Sequence, residues 1–348
     1  MPLLFDGAMG TWYASQGGSG PCERGNLTNP EKIRSIHRAY IEAGCRCIKT
    51  NTFAAGPSTL GEDWLSVVKA GWAIAKEAAD PDTLVFADMG PASPDADQAA
   101  EFRRVADCFL SLGARYFLFE TLPDLTGIPE TARHIKTVCP EAFVLVSFAA
   151  QPDGFTATGQ SVRTLLRTEN PDIDAVGLNC VCSAAHMGKL LERIGPLEKP
   201  VSVMPNAGYP TVLGRRTIYQ GDPAFFGKQL RELAERGAQI LGGCCGTTPD
   251  HIRAAAAALK EPLTPRITVT ETKSPPPVSE DNPFWDVLQD PAKKAVAVEL
   301  DPPEAADVSK FMDGARELQT GGADIITIAD CPIARARMDA SLLACKLQ

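Results

Sequence analysis

The sequence predicts an α/β protein: a closed (β/α)8 barrel, then a linker and the truncated start of a second β/α barrel. Three observations carry that expectation. An amphipathic helix, a glycine, a short apolar strand and a polar strand end recur along the chain; eight strand candidates fall before residue 260; and beyond it the composition turns proline-rich and polar.

The first strand is "LLFDG", near residue 3. In "NPEKIRSIHRAYIEAGCRCIKTN", Asn29 is a candidate cap and Pro30 suits the first helical position. Ile33, Ile36, Tyr40 and Ile41 share a face, Gly44 stops the helix, and a strand near 47 ends at Asn51. "LVFADMG" supplies a strand near 84. "AEFRRVADCFLSLGARYFLFE" repeats the unit, with Phe102, Val105, Phe109 and Leu110 on one face, Gly113 as stop and Glu120 at the end of a strand near 116. "FVLVSFA", "AVGLNC" and "VSVMPN" are strands near 143, 175 and 201. "DPAFFGKQLRELAERGAQILGGC" runs from Asp222 and Pro223 through Gly237 to a strand near 239 and Cys244. Short apolar strands alternating with helices imply a parallel sheet covered on both faces. Eight of them in one domain match a (β/α)8 TIM barrel over residues 1–260, whereas a doubly wound open sheet lacks support from any nucleotide-type glycine loop.

Residues 261–293, including "EPLTPRITVTETKSPPPVSEDNP", read as an extended linker. In 294–348, "KKAVAVELDPP" and "ADIITIAD" are strands flanking the helix "DVSKFMDGARELQTGG". Too few elements follow to close a barrel, so a truncated second domain is expected.

Apolar residues at 44% and charged residues at 22% support a sizeable core, and a net charge of -9 gives no footprint for nucleic acid or an anionic membrane. No apolar run approaches the roughly 18 residues of a membrane span, and "MPLLFDGAMGTW" lacks an export pattern, so a cytoplasmic protein with a small-molecule substrate is expected. Eleven cysteines, an odd number, argue for reduced thiols over a disulfide framework; Cys45, Cys47, Cys108 and Cys139 fit core positions.

Chemistry in such a barrel sits at the carboxyl ends of the strands, here Asp6, Asn51, Asp88, Glu120, Asn179 with Cys180, Asn206, and Cys244 with Cys245. Cys180 ends strand six and the vicinal cysteines end strand eight, one strand apart, so three sulfurs can converge. Three thiolates suit Zn2+ with a fourth position open, and Gly242, Gly243 and Gly246 would let the backbone bend. A thiolate-rich shell is a poor Lewis acid for water but well suited to holding an incoming thiol as its thiolate, which a free thiol with pKa about 8.5 rarely is at neutral pH. Spacing alone leaves open a redox disulfide, a crowded packed turn, or a four-cysteine structural site that includes Cys182. A metal-assisted hydrolase is disfavoured because His37, His134, His186 and His251 fall mostly on helices or loops, His251 as a helix-terminus residue.

Together, "DGAMGT", "NLTNPEKIRSIHRAYIEAG", "TNTF", "ETLPDL", "GLNC", "PNAG" and "GGCCGTTPDHI" resemble the zinc-dependent homocysteine S-methyltransferase family, including the homocysteine-binding module of methionine synthases. The resemblance runs from residue 3 to about residue 260. It implies methyl transfer to the thiol of homocysteine, forming methionine. It also implies Cys180, Cys244 and Cys245 as zinc ligands without Cys182, Asp6 and Glu120 around the substrate ammonium, and the backbone from Gly7 to Gly10 around its carboxylate. Thr50, Asn51 and Asn179 would line the same mouth. The methyl donor would be small, such as methylfolate or S-methylmethionine. The sequence departs from the family at Lys49, which precedes "TNTF", and at "ADMGP". The alternative is a structural zinc or redox scaffold without catalysis. The tail, "AVAVELDPP" with "GGADIITIADCPIARARMD", resembles the opening of a methylenetetrahydrofolate reductase barrel, with Glu299 at that family's catalytic acid position; FAD would bind only a complete reductase domain, and no reductase activity is expected from this stretch alone.

Overall fold

The structure, a computed structural model, describes residues 2–208, 210–213, 216–219, 221–264, 287–288, 290–304, 307–329 and 337–347. The expected linker lies largely outside the described residues, as does the 330–336 part of the tail motif. The chain divides into two compact units, Met1–Thr270 and Glu271–Gln348.

In the first unit, β1 (Leu3–Leu4), β2 (Cys47–Lys49), β3 (Leu84–Met89), β4 (Tyr116–Leu122), β5 (Phe143–Phe148), β6 (Ala175–Ser183) and β7 (Val201–Asn206) are followed by a hairpin, β8 (Pro210–Leu213) with β9 (Arg216–Tyr219), and then β10 (Ile240–Leu241). All but the hairpin form one parallel eight-stranded sheet in the order β1-β10-β7-β6-β5-β4-β3-β2. Its two ends meet: Phe5 bridges Cys47 in parallel, the Asp6 amide donates to the Cys47 carbonyl at 2.9 Å, and the Arg46 amide donates to the Leu4 carbonyl at 2.7 Å. The sheet is therefore a barrel, with a strand at each of the eight expected places.

The barrel is filled, as steric packing of inward side chains requires. Phe5, Cys47, Phe86, Leu118, Leu145, Ala175, Met204 and Ile240, one from each strand or its edge, form an inner cluster, while a larger apolar layer lies between sheet and helices. Cys45, Cys47 and Cys108 are buried fillers; Cys139 is only half-buried.

The repeat unit has a common stop. The helices Pro30–Glu42, Gln98–Ser111 and Pro223–Glu235 are each followed, one residue past the cap, by a left-handed glycine: Gly44, Gly113 and Gly237. That is the conformation side chains resist and glycine allows. Their starts differ. Asp97 and Asp222 accept from the amides of Ala100 and Phe225, whereas Asn29 makes no side-chain cap bond, so Pro30 alone marks that start.

The second unit contains β11 (Ala297–Leu300) and β12 (Ile325–Ile328), paired in parallel around the helix Ser309–Thr320. Glu299 is exposed on β11 opposite Thr327. Among the described residues, no helix is long and apolar enough to cross a membrane.

Candidate active site

β7 lies between β6 and β10, so Cys180 at the end of β6 and the vicinal pair after β10 are brought together. The three sulfurs lie within 4.8 Å of one another, and Cys180 Sγ is 3.7 Å from Cys245 Sγ. Two sulfurs bound at about 2.3 Å to a tetrahedral zinc stand about 3.8 Å apart, so this spacing fits a face of such a shell. Hydrogen bonds from Cys180 and Cys244 hold the Cys245 thiol well below the usual range, while hydrogen bonds with Cys180 and Cys245, and burial, push Cys244 up. Cys182 is not drawn in: it is buried, with its thiol donating to the Ala150 carbonyl at 3.0 Å. No histidine joins the cluster among the described residues. His251 sits in the first turn of the helix Pro249–Leu259, where Nδ1 accepts from the Thr248 amide at 3.2 Å and Nε2 lies 3.1 Å from the Gly221 carbonyl.

The end of β6 is strained. Cys180 and Val181 both have positive φ, 57° and 54°, and Thr121 at the end of β4 has φ 61°, unusual values for side-chain-bearing residues and most costly for β-branched ones. At these points both strands break register with their neighbours. Asn179 ties them together: its Oδ1 accepts from the Thr121 amide at 2.8 Å, and its Nδ2 donates to Thr121 Oγ1 at 2.7 Å and Glu120 Oε2 at 3.2 Å. A strand-end asparagine expected to line the mouth is thus a strut between a cysteine and an acid.

The vicinal pair is held from the opposite side. Thr247 Oγ1 donates to the Cys244 carbonyl at 2.7 Å and accepts from the Ala8 amide at 3.0 Å. Tyr40 Oη contacts the carbonyls of Ala8 at 2.8 Å and Thr247 at 3.0 Å, and Thr11 Oγ1 accepts from the Gly246 amide at 3.0 Å. The expected glycine bend is confined to Gly246, at φ 79°. Gly243 serves close approach instead, since a Cβ there would lie 2.4 Å from Thr247 Oγ1.

Cys180, Cys244, Cys245, Thr11 and Gly243 line a cavity of about 490 Å³ together with Asp6, Gly7, Gly10, Glu23, Lys49, Thr50, Asn51, Asp88 and Glu120. Of the expected strand-end residues in the barrel, Asn179 and Asn206 are not on its wall; Asn179 instead backs Glu120, and Glu299 belongs to the second unit. Some expected roles change. Asn51 donates to the Cys22 carbonyl and Asn26 Oδ1, and Thr50 Oγ1 receives the Asp88 amide, so both side chains brace the rim. Along the Gly7–Gly10 stretch the Ala8 amide is taken by Thr247; Gly10 opens the helix Gly10–Ser15, whose first amides lack intrahelical acceptors.

The acids are more crowded than the sequence suggests. Asp6 is engaged twice by one residue: Oδ2 accepts from the Lys49 amide at 2.9 Å and Oδ1 lies 2.8 Å from Lys49 Nζ. The latter contact is close but poorly aligned for a hydrogen bond, which leaves both atoms hydrogen-bonding capacity. Burial raises the pKa of Asp6 against the pull of Lys49. Burial opposes the Lys49 charge, but Asp6, Glu120 and Asp88 outweigh it and keep the amine protonated. Asp88, whose Oδ1 is buried without a partner among the described residues, is raised by burial and by Glu120. Burial lifts Glu120 to about 7. Asp88 was legible as a strand end; Lys49 showed only as a departure, and Tyr40 and Thr247 carried no signal beyond helix pattern and turn.

A filled (β/α)8 barrel with three converging thiols and four carboxyl groups around one cavity at the carboxyl rim defines a barrel enzyme with a thiol-rich, metal-competent site. The chain belongs to the homocysteine S-methyltransferase family, which residues 3–259 match. It is 33% identical over 292 residues to the methionine synthase of Mycobacterium leprae and 32% over the same length to that of Mycobacterium tuberculosis, covering 74% of this chain and 24% of each relative. The chain thus spans about a quarter of those proteins. Among solved structures it resembles the oxidized form of the Escherichia coli homocysteine methyltransferase MmuM, at 26% identity and TM-score 0.61, over 74% of this chain and 95% of that one. The metallated form of the same protein, at 24% identity and TM-score 0.61, shares the fold.

Proposed function

We propose that the barrel transfers a methyl group to the thiol of homocysteine, forming methionine, with Zn2+ held by Cys180, Cys244 and Cys245. The observation that carries this reading is the convergence of three sulfurs on one wall of a cavity whose other wall is acidic. Bound zinc would lower the pKa of the acceptor thiol, so that it reacts as a thiolate at neutral pH.

The protein's own groups then bind and orient. Glu120 faces the acceptor's ammonium, and the amides that open the helix at Gly10 suit its carboxylate. Asn179 fixes Glu120 relative to Cys180, so the two ends of the acceptor are positioned by one strut. In the reaction a sulfur lone pair forms the new S–CH3 bond as the donor–CH3 bond breaks and the leaving atom departs with its electrons. Methylfolate and S-methylmethionine are the donors proposed. We read residues 294–348 as the start of a methylenetetrahydrofolate reductase-like barrel with Glu299 at its acid position, a reading supported by the parallel β11–β12 pair, and FAD would need the complete domain.

The test is a donor screen: zinc-loaded protein with homocysteine and each donor in turn, reading methionine. Turnover with at least one donor, lost on chelation, is expected. A folded protein with one zinc that forms no methionine from any of them would overturn the assignment.

A further inference from the structure

Four carboxyl groups, Asp6, Glu23, Asp88 and Glu120, line the cavity, yet they are not equivalent. Both oxygens of Glu23 are held locally, Oε1 by the Ala54 amide at 3.1 Å and Oε2 by the Cys22 thiol at 3.5 Å. Asp6 is 2% exposed and faces Lys49 with both oxygens: Oδ2 accepts from the backbone amide at 2.9 Å and Oδ1 is ion-paired with Nζ at 2.8 Å. Lys49 is itself buried, and it is the sole cationic side chain on the cavity wall among the described residues. Glu120 gives one oxygen to a neutral amide, Asn179 Nδ2 at 3.2 Å, and Asp88 keeps an oxygen with no partner among the described residues.

We infer that Lys49 is a specificity-determining residue: it sequesters Asp6 as an internal counter-ion, so that the acceptor's ammonium is read by Glu120, with Asp88 beside it, and not by Asp6. The inference rests on the reading of this cavity as a homocysteine site. Its physical basis is competition. An ammonium arriving at Asp6 would have to displace a cation already desolvated and covalently held there, whereas at Glu120 it replaces no charged partner. The same pairing leaves a smaller net negative charge on the wall, weakening the general attraction for cations while keeping one directed contact. The site should therefore prefer homocysteine over its des-amino analogue by a single acid's worth of recognition, and removal of Lys49 should release a second.

The experiment is equilibrium binding, by calorimetry, of L-homocysteine and 4-mercaptobutanoate to the zinc-loaded full chain. Wild type is compared with Lys49→Gln and with the double variant Asp6→Asn/Lys49→Gln. A charged hydrogen bond corresponds to roughly ten- to hundredfold in affinity, so Lys49→Gln should raise the preference for homocysteine by about that factor. The double variant, in which Asp6 is again silent, should return to the wild-type preference. An unchanged preference in Lys49→Gln, with both thiols weakened alike, would overturn the inference and place Lys49 on the carboxylate they share. Where Lys49→Gln fails to fold because Asp6 is left uncompensated, the double variant decides alone: a preference about tenfold or more below wild type would show that Asp6 reads the ammonium after all. If wild type binds neither thiol, the homocysteine reading itself fails, which is a separate outcome.

Discussion

Replacing Glu120 by glutamine should stabilise the ligand-free protein at neutral and alkaline pH while weakening homocysteine binding. The carboxyl is buried and its pKa is lifted from 4.5 to about 7. Below the unfolded value both states carry the proton. As pH rises from 4.5 to 7 the unfolded chain ionises while the folded one holds its proton, so stability falls by about 1.4 kcal/mol per pH unit, and above 7 the loss is complete. The full span is roughly 3 kcal/mol, which for a barrel of this size is roughly 6–12 °C in Tm. The Glu120→Gln substitution removes the titration and keeps a carbonyl oxygen able to accept from Asn179 Nδ2. Thermal melts of both proteins from pH 4.5 to 8.5, without thiol, should therefore diverge: similar stability at the acid end, the variant higher above pH 7. Parallel melting curves, or a variant less stable throughout, would refute the reasoning that burial is the dominant influence on Glu120.

Cys180→Ser and Cys182→Ser should separate. The first should stay folded but lose stoichiometric zinc, measured by a chromophoric chelator. The second should keep its zinc, because its thiol bonds the Ala150 carbonyl outside the cluster and a serine hydroxyl still donates there; zinc retained by Cys180→Ser would remove that cysteine from the ligand set. Tyr40→Phe removes a buried hydroxyl that joins the Ala8 and Thr247 carbonyls, and about 1–3 kcal/mol of stability should go with it in a denaturant titration. An unchanged midpoint would show that those carbonyls are satisfied otherwise.

The barrel was legible because its repeat is written in local chemistry. Helix faces, stop glycines and apolar strands each depend on neighbouring residues, and Gly44, Gly113 and Gly237 sit in left-handed backbone where the pattern put them. The cysteines were legible because strand order converts sequence position into rim position. What stayed hidden depends on contacts between distant strands. Nothing around Asp6 in the sequence announces that Lys49, on the next strand, will bond one of its oxygens and pair its charge with the other. Asn179 reads as a residue lining the mouth until β4 and β6 are seen to be tied together through it. The expectation that Gly242 and Gly243 supply a bend misread a packing demand as a conformational one, because the lack of a side chain serves either purpose and sequence does not distinguish them.

The Asn179 strut has a consequence for measurement of length. Because the same amide group grips Thr121 and Glu120 on β4 while its own strand continues directly into Cys180, the gap between acid and sulfur is set like the jaws of a caliper. On the proposed reading, the span between the acceptor's thiol and its ammonium would be gauged one methylene at a time, by a side chain that lies off the cavity wall.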